Sequence, residues 1–257
     1  MDILRKELNE IYRAQRLEEE RLDRDVLDEC RSIIRNTSDV FNGCLVITDV
    51  ESDRCYVAAG SLAQLMGWSE DRVMQVEVDS SDEDFIYNSL HPVDLPDKRL
   101  LEYEFLKKAS AMEKDEKLKY KASCAVRIRN KEGGYLWIEN STRILRLSPE
   151  GKIRLILCSY DLSSSQHDRE GVSPCITNLY TGETDALNFS ERRARILSPR
   201  EKEILTLIRE GKSSKMIADI LQISLNTVNR HRQNIIEKLD VANTYEAISA
   251  ARSMNLI

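Results

Sequence analysis

Long apolar runs are missing from this 257-residue chain. None approaches the roughly 20 residues that a membrane-crossing helix needs, and the charged opening Met1 to Glu10 lacks the apolar stretch of a signal peptide. The expectation is a protein of the cytoplasm with no membrane partner. Histidine is scarce at three residues, and His91, His167 and His231 fall in three separate segments. The six cysteines (Cys30, Cys44, Cys55, Cys124, Cys158 and Cys175) form no CxxC pair and show no His/Cys ligand spacing. Free thiols packed as small apolar residues are therefore expected, with neither disulfides nor zinc. Glycine, at nine residues, forms neither GxGxxG nor GxxxxGKS, and no nucleophile motif gathers Ser, His and Asp. Enzyme readings fare poorly, and the chain is read as a non-enzyme.

What is present is divided unevenly. From Glu191 to Ile257 there are 12 Lys and Arg against 8 Asp and Glu, a net of +4, while the remainder carries −10. A basic tail on an acidic body suggests that only the tail approaches a polyanion. A length beyond one typical domain, with 41% hydrophobic residues, allows two compact domains and connecting segments.

Residues 1–38 read as a helical segment. Leu4, Leu8 and Ile11, then Leu22, Val26, Cys30 and Ile33, recur at spacings of three and four, while Arg13 to Asp25 has almost no apolar stripe. One long helix or two shorter ones fit. Two roles stay open: packing on a second subunit, or covering the sheet of its own domain.

Over 39–163 the pattern turns to short strands. Cys44 to Thr48 and Cys55 to Ala58 come first, then a short helix from Ser61 to Met66. In Lys121 to Arg129, Ala122, Cys124, Val126 and Ile128 alternate with Lys121, Ser123, Arg127 and Arg129, a strand with one buried face. Tyr135 to Leu145 and Ile153 to Tyr160 follow after turns at Asn130 to Gly134 and Ser148 to Gly151. Two strands, helices and a three-strand meander, with Leu90-His91-Pro92-Val93-Asp94 before the meander and Gly133-Gly134-Tyr135-Leu136-Trp137-Ile138 within it, resemble a PAS domain. That resemblance implies an α+β fold, a five-stranded antiparallel sheet flanked by helices, of a kind that binds small ligands, holds cofactors or simply dimerises. The cofactor stays unknown. No flavin-type Asn-Cys pair is present, since Cys44, Cys55 and Cys124 follow Gly, Arg and Ser. His91 is read as a turn residue ahead of a haem ligand. No receiver pattern of paired acidic residues, phosphorylated Asp and Lys is seen, and Trp68 and Trp137 do not form the aromatic cluster of a homoserine-lactone pocket. Residues 164–196 read as a polar linker, with Cys175 to Tyr180 and Asp185 to Leu187 flanking Thr181-Gly182-Glu183 as a small hairpin.

The last segment, 197–257, has an explicit helix grammar. Ser198 stands as N-cap, Pro199 at the first helical position and Glu201 at capping-box spacing. Ile204, Leu205 and Ile208 form a stripe that Gly211 ends. Ser214 is placed to cap a second helix with Met216, Ile217, Ile220 and Leu221 as its apolar face. After a turn at Gln222 to Ser224, a third helix from about Leu225 turns Val228, Ile235 and Leu239 inward, and a fourth spans Thr244 to Met254.

These residues resemble the LuxR-type (GerE-like) helix-turn-helix, an all-α four-helix output domain of bacterial regulators, over Leu197 to Ala250. The likeness rests on Leu197-Ser198-Pro199-Arg200-Glu201, Gly211-Lys212-Ser213-Ser214-Lys215, Ile217-Ala218, Ile223-Ser224, Thr227-Val228, His231, Asn234-Ile235, Lys238-Leu239 and Glu246-Ala247. It implies a third helix seated in the major groove of double-stranded DNA. Hydrogen-bond chemistry then places Arg230 on guanine, Asn229 or Gln233 on adenine and Thr227 on a phosphate or thymine methyl, with Ser224, Arg232, Asn234 and Lys238 on the backbone. Asn229 stands where the family usually has lysine. The expected partners are DNA with an inverted-repeat operator, a second copy of the chain and RNA polymerase. The front domain either senses a ligand or acts purely as a protein-interaction module.

Overall fold

The computed structural model describes all residues except 1, 15–23, 82, 168, 170, 240 and 255. Whether one helix or two runs through the opening segment lies outside the described residues. The chain divides into two compact units, Leu8–Leu187 and Asn188–Ile257 with Met1–Glu7. The elements run α1 (Asp2–Ala14), α2 (Arg24–Phe41), β1 (Cys44–Asp49), β2 (Arg54–Ala59), α3 (Ser61–Met66), β3 (Met74–Val78), α4 (Asp84–Tyr87), α5 (Leu95–Ser110), α6 (Lys114–Lys117), β4 (Tyr120–Arg129), β5 (Tyr135–Leu147), β6 (Ile153–Leu162), β7 (Cys175–Asn178) and β8 (Thr184–Ala186). After them come α7 (Ser190–Ala194), α8 (Pro199–Arg209), α9 (Ser214–Leu221), α10 (Leu225–Leu239) and α11 (Thr244–Ser253). Among the described residues no helix is long and apolar enough to cross a membrane.

The larger unit is built on an antiparallel sheet of eight strands in the order β3-β2-β1-β6-β5-β4-β7-β8, which corrects the expected five. The five anticipated strands lie side by side at its centre, and the additions cover their edges. β3 pairs along β2 from Cys55–Val78 to Ala59–Met74, and the β7–β8 hairpin pairs Tyr120 to Ser123 of β4 with Asn178 to Cys175. Unpaired edge N–H and C=O groups seek partners, and local segments of the same chain supply them. β3 escaped the sequence reading although Met74, Val76 and Val78 alternate.

Side-chain alternation sorts the two faces of the sheet. Ile47, Tyr56, Ala58 and Leu155 lie on the face where α2 buries Cys30 and Ile34. The first helical segment therefore covers its own sheet at least through α2, while Ile33, Val40 and Phe41 stay exposed. Ser38 reaches Ala58 O at 2.8 Å, and the chain passes so close that a Cβ on Gly60 would meet Ser38 O at 2.3 Å. Only glycine fits between β2 and α3.

On the opposite face, Cys124 stands across from Asn140, which stands across from Tyr160, and Thr142 faces Cys158. Helix α5 packs above this face against β4 and brings charge into the interior. Lys98 is 0% exposed. Its Nζ donates to Glu102 Oε1 at 2.6 Å and to Tyr87 Oη at 3.4 Å, and Tyr87 Oη donates to the same carboxylate oxygen at 2.6 Å. Glu83 is also buried and accepts from Tyr160 Oη at 2.7 Å. Charges are buried in this way only when neighbours offset the lost hydration. Burial likewise holds the Cys124 and Cys158 thiols protonated, pushed up to about 12. All six cysteines are free, and all but the half-buried Cys175 are buried.

Burial pushes the Glu83 carboxyl above its ordinary value of 4.5, a rise that Lys98 and Tyr160 oppose and Glu102 reinforces. The folded state thus binds this proton more tightly than the unfolded chain does. Its stabilising contribution is complete below pH 4.5 and is lost as pH climbs through the raised value. Glu83→Gln should flatten the fall in urea midpoint that wild type shows as pH rises above 4.5, read by fluorescence of Trp68 and Trp137. An unchanged pH slope in the variant would contradict this.

The loop 91–94 is pinned to β4. Asp94 accepts from Arg127 N at 2.8 Å and from its guanidinium at 2.9 and 2.6 Å. His91 Nδ1 accepts from Val93 N at 3.3 Å, the geometry of a turn residue. Burial first, and then the Arg127 cation, lower its pKa.

Candidate nucleic-acid interface

The smaller unit closes around Leu197, Ile204, Leu205, Ile217, Val228, Ile235, Leu239, Ala247 and Ala251, all buried in one cluster. Its first helix starts as its residues dictate. Ser198 Oγ accepts from Glu201 N, and Glu201 Oε2 accepts from Ser198 N at 2.7 Å, a complete capping box with Pro199 beside it. Gly211 takes φ +81° just past α8, a left-handed conformation that glycine adopts without Cβ strain. The second helix is capped by Ser213, whose Oγ accepts from Met216 N, one residue earlier than the expected Ser214. Its buried side chains are Ile217 and Ala218. Met216 is 48% exposed and Ile220 51%, so the apolar face expected of α9 is half in solvent, because an eight-residue helix turns only a narrow stripe toward α8 and α10.

Gln222 ends α9 in the left-handed region, and Ser224 begins α10 by accepting from Thr227 N at 3.0 Å. Two short helices joined by a three-residue turn have the geometry of a helix-turn-helix. Along α10 the expected contact residues fall into two groups. Asn229, Arg230 and Gln233 are exposed on one face. The side chains of Asn229 and Arg230 make no hydrogen bond among the described residues, and that of Gln233 donates to Glu237 at 3.0 Å. Asn234 is half-buried.

The others are engaged within the unit. Thr227 Oγ1 shares a 2.8 Å hydrogen bond with Ser224 Oγ, so this pair serves as the helix cap. Arg232 was expected to remain available outside, but it is half-buried and donates to Ser214 Oγ at 2.8 Å and Thr244 Oγ1 at 3.1 Å, tying α10 to α9 and α11. Lys238 was expected outside as well. Its Nζ instead donates to Glu201 Oε2 at 2.7 Å. Burial alone would raise the Glu201 carboxyl, yet the Lys238 ammonium and the Ser198 amide and hydroxyl hold it below the usual range.

Lys238→Ala leaves that buried carboxylate without its cation. The unit should lose about 1–3 kcal/mol of stability, measured by thermal or urea unfolding before any DNA is added. A variant as stable as wild type would return Lys238 to the set of purely external contacts.

Residues 195–251 match the family of bacterial regulatory proteins, luxR family. The smaller unit carries a luxR-type helix-turn-helix. The chain is 50% identical to the uncharacterized response regulatory protein YgeK of Escherichia coli K12 across 60 residues that make up 23% of this chain and 41% of that protein. It is 35% identical to the monoamine regulon transcriptional regulator of Klebsiella aerogenes across 89 residues, 35% of this chain and 39% of that one. The chain thus spans about two fifths of the length of these relatives. Among solved structures, the phage VqmA–DPO complex covers 91% of both chains at 15% identity with a TM-score of 0.28, too low for a shared architecture to be read from it.

Two exposed polar residues of the luxR-type domain were not among the expected DNA contacts. Asn226, in the first turn of α10, is exposed beside Asn229 and Arg230, and Lys215 is exposed at the start of α9. Only their exposure singles these side chains out.

Proposed function

We propose that this protein is a cytoplasmic, sequence-specific DNA-binding transcriptional regulator and not an enzyme. The observation that carries the reading is the exposed polar face of α10, with Asn226, Asn229, Arg230 and Gln233, on a helix whose opposite side is locked into the core by Val228, Ile235 and Leu239. A guanidinium forms paired hydrogen bonds with guanine, and a carboxamide does the same with adenine. Lys215, at the start of the preceding helix, stands where the first helix of such a pair crosses the phosphate backbone. A homodimer would present two recognition helices about 34 Å apart and select an inverted repeat. The exposed Ile33, Val40 and Phe41 of α2 offer apolar area for that pairing. RNA polymerase would then be recruited or blocked according to operator position.

The larger unit is proposed as the sensor, PAS-like in its five central strands. Lys98, Glu102, Glu83, Tyr87 and Tyr160 place donors and acceptors in its interior, and perturbed ionisable groups gathered in one place mark candidate ligand sites. This interior favours sensing over a purely protein-interacting module. The test is selection of the full chain on a random duplex library, followed by affinity against salt concentration. An enriched inverted repeat and a steep fall in affinity with salt are expected. No enrichment above bulk DNA would overturn the reading.

A further inference from the structure

The reading face of α10 is polar with one exception. Leu225, its first residue, is 45% exposed. The core-facing positions of the helix are occupied by Val228, Ile235 and Leu239. Leu225 therefore begins the helix with a large apolar side chain in water, flanked by exposed Ser224 and Asn226 and one turn before exposed Asn229. The cap is made by the Ser224 and Thr227 pair, so Leu225 has no capping role.

The major groove offers one apolar group, the C5-methyl of thymine. The first residues of a recognition helix are those that meet base edges. We infer that Leu225 is a specificity-determining residue that packs on a thymine methyl, and that with the neighbouring carboxamides of Asn226 and Asn229 it directs the amino-terminal turn of α10 to A·T pairs. The carboxamides suit adenine N6 and N7, and leucine suits the methyl group of thymine, so the two chemistries read both members of one kind of pair. Arg230 remains the guanine reader further along. This inference rests on the DNA-binding reading above.

The experiment selects the full chain on two random duplex libraries, one made with thymine and the other with deoxyuridine, which differ only in the methyl group. Wild type should enrich thymine over cytosine at a defined position in the first library. That preference should fall roughly fourfold in the second, the worth of about one buried methyl group, while the guanine preference persists. Leu225→Ala should lose the thymine preference in the first library and respond equally to both. Leu225→Met, which keeps an apolar side chain, should retain the methyl response. Circular dichroism of both variants checks that α10 is intact. A wild-type selection insensitive to the methyl group at every position would overturn the inference, as would a methyl response unchanged in Leu225→Ala. Absence of any enriched sequence in either library would instead overturn the DNA-binding reading, and this inference with it.

Discussion

Lys98→Met should destabilise the larger unit by about 3–5 kcal/mol, because removing one partner of a buried ion pair strands the other charge in a low-dielectric interior. Glu102 would keep its 2.6 Å bond from Tyr87 but lose the ammonium at 2.6 Å, with the Arg99 Nη1 at 3.8 Å as the next cation. Glu83, already raised by burial and held down in part by Lys98, would rise further. Lys98→Met combined with Glu102→Gln should recover most of the loss, since the carboxamide oxygen still accepts from Tyr87 and the Glu102 charge is removed together with that of Lys98. Tryptophan fluorescence during urea unfolding reports on this unit alone, because both tryptophans, Trp68 and Trp137, lie in it. A single variant within about 1 kcal/mol of wild type would mean that water reaches Glu102 and that Lys98 is not needed to hold its charge.

Arg230→Ala has the largest effect expected on recognition. A well-placed bidentate contact to guanine is worth about 1–3 kcal/mol of discrimination, roughly 5- to 150-fold between the right and wrong base. The variant should lose that preference at one position of each half-site and bind the remaining sequences with modestly reduced affinity. Replacing a phosphate contact behaves differently. Lys215→Ala should weaken binding about equally on all sequences and reduce the salt slope by about one. Parallel selections with the two variants separate these outcomes. If Arg230→Ala lowers all sequences in proportion, Arg230 is a phosphate ligand and the reading surface shifts toward Asn229 and Gln233.

The two units differ in how much of them is legible in the chain. In the helix-turn-helix, almost every boundary follows from neighbours in sequence: the Ser198 to Glu201 capping box, the stop at Gly211 and the turn at 222–224. Each of these is a contact across a few residues. In the sheet, Lys121 to Arg129 could be assigned by alternation because one face is buried, with Ala122, Cys124, Val126 and Ile128 all inside. β3 and the β7–β8 hairpin complete the sheet only by pairing with strand edges whose position the local pattern does not state. Helix α5 was the least legible element. Asp97, Lys98, Arg99 and Glu102 are charged, yet all four are buried, and no local pattern states that.

The sequence by itself determined the basic tail, the four helices at 197–257 and the buried stripe that orients them, because caps, glycine stops and apolar spacing act within one or two turns. Only the tertiary structure decided which polar side chains of α10 are available. Lys238 is drawn to Glu201 and Arg232 to Ser214 and Thr244, while Asn229 and Arg230 stay in solvent. The physical reason is that a cation is held by whichever hydrogen-bond acceptors the fold brings within about 3 Å, and those partners lie up to 37 residues away along the chain. The same holds for the large apolar side chain of Leu225, whose exposure follows from where the core of the unit ends.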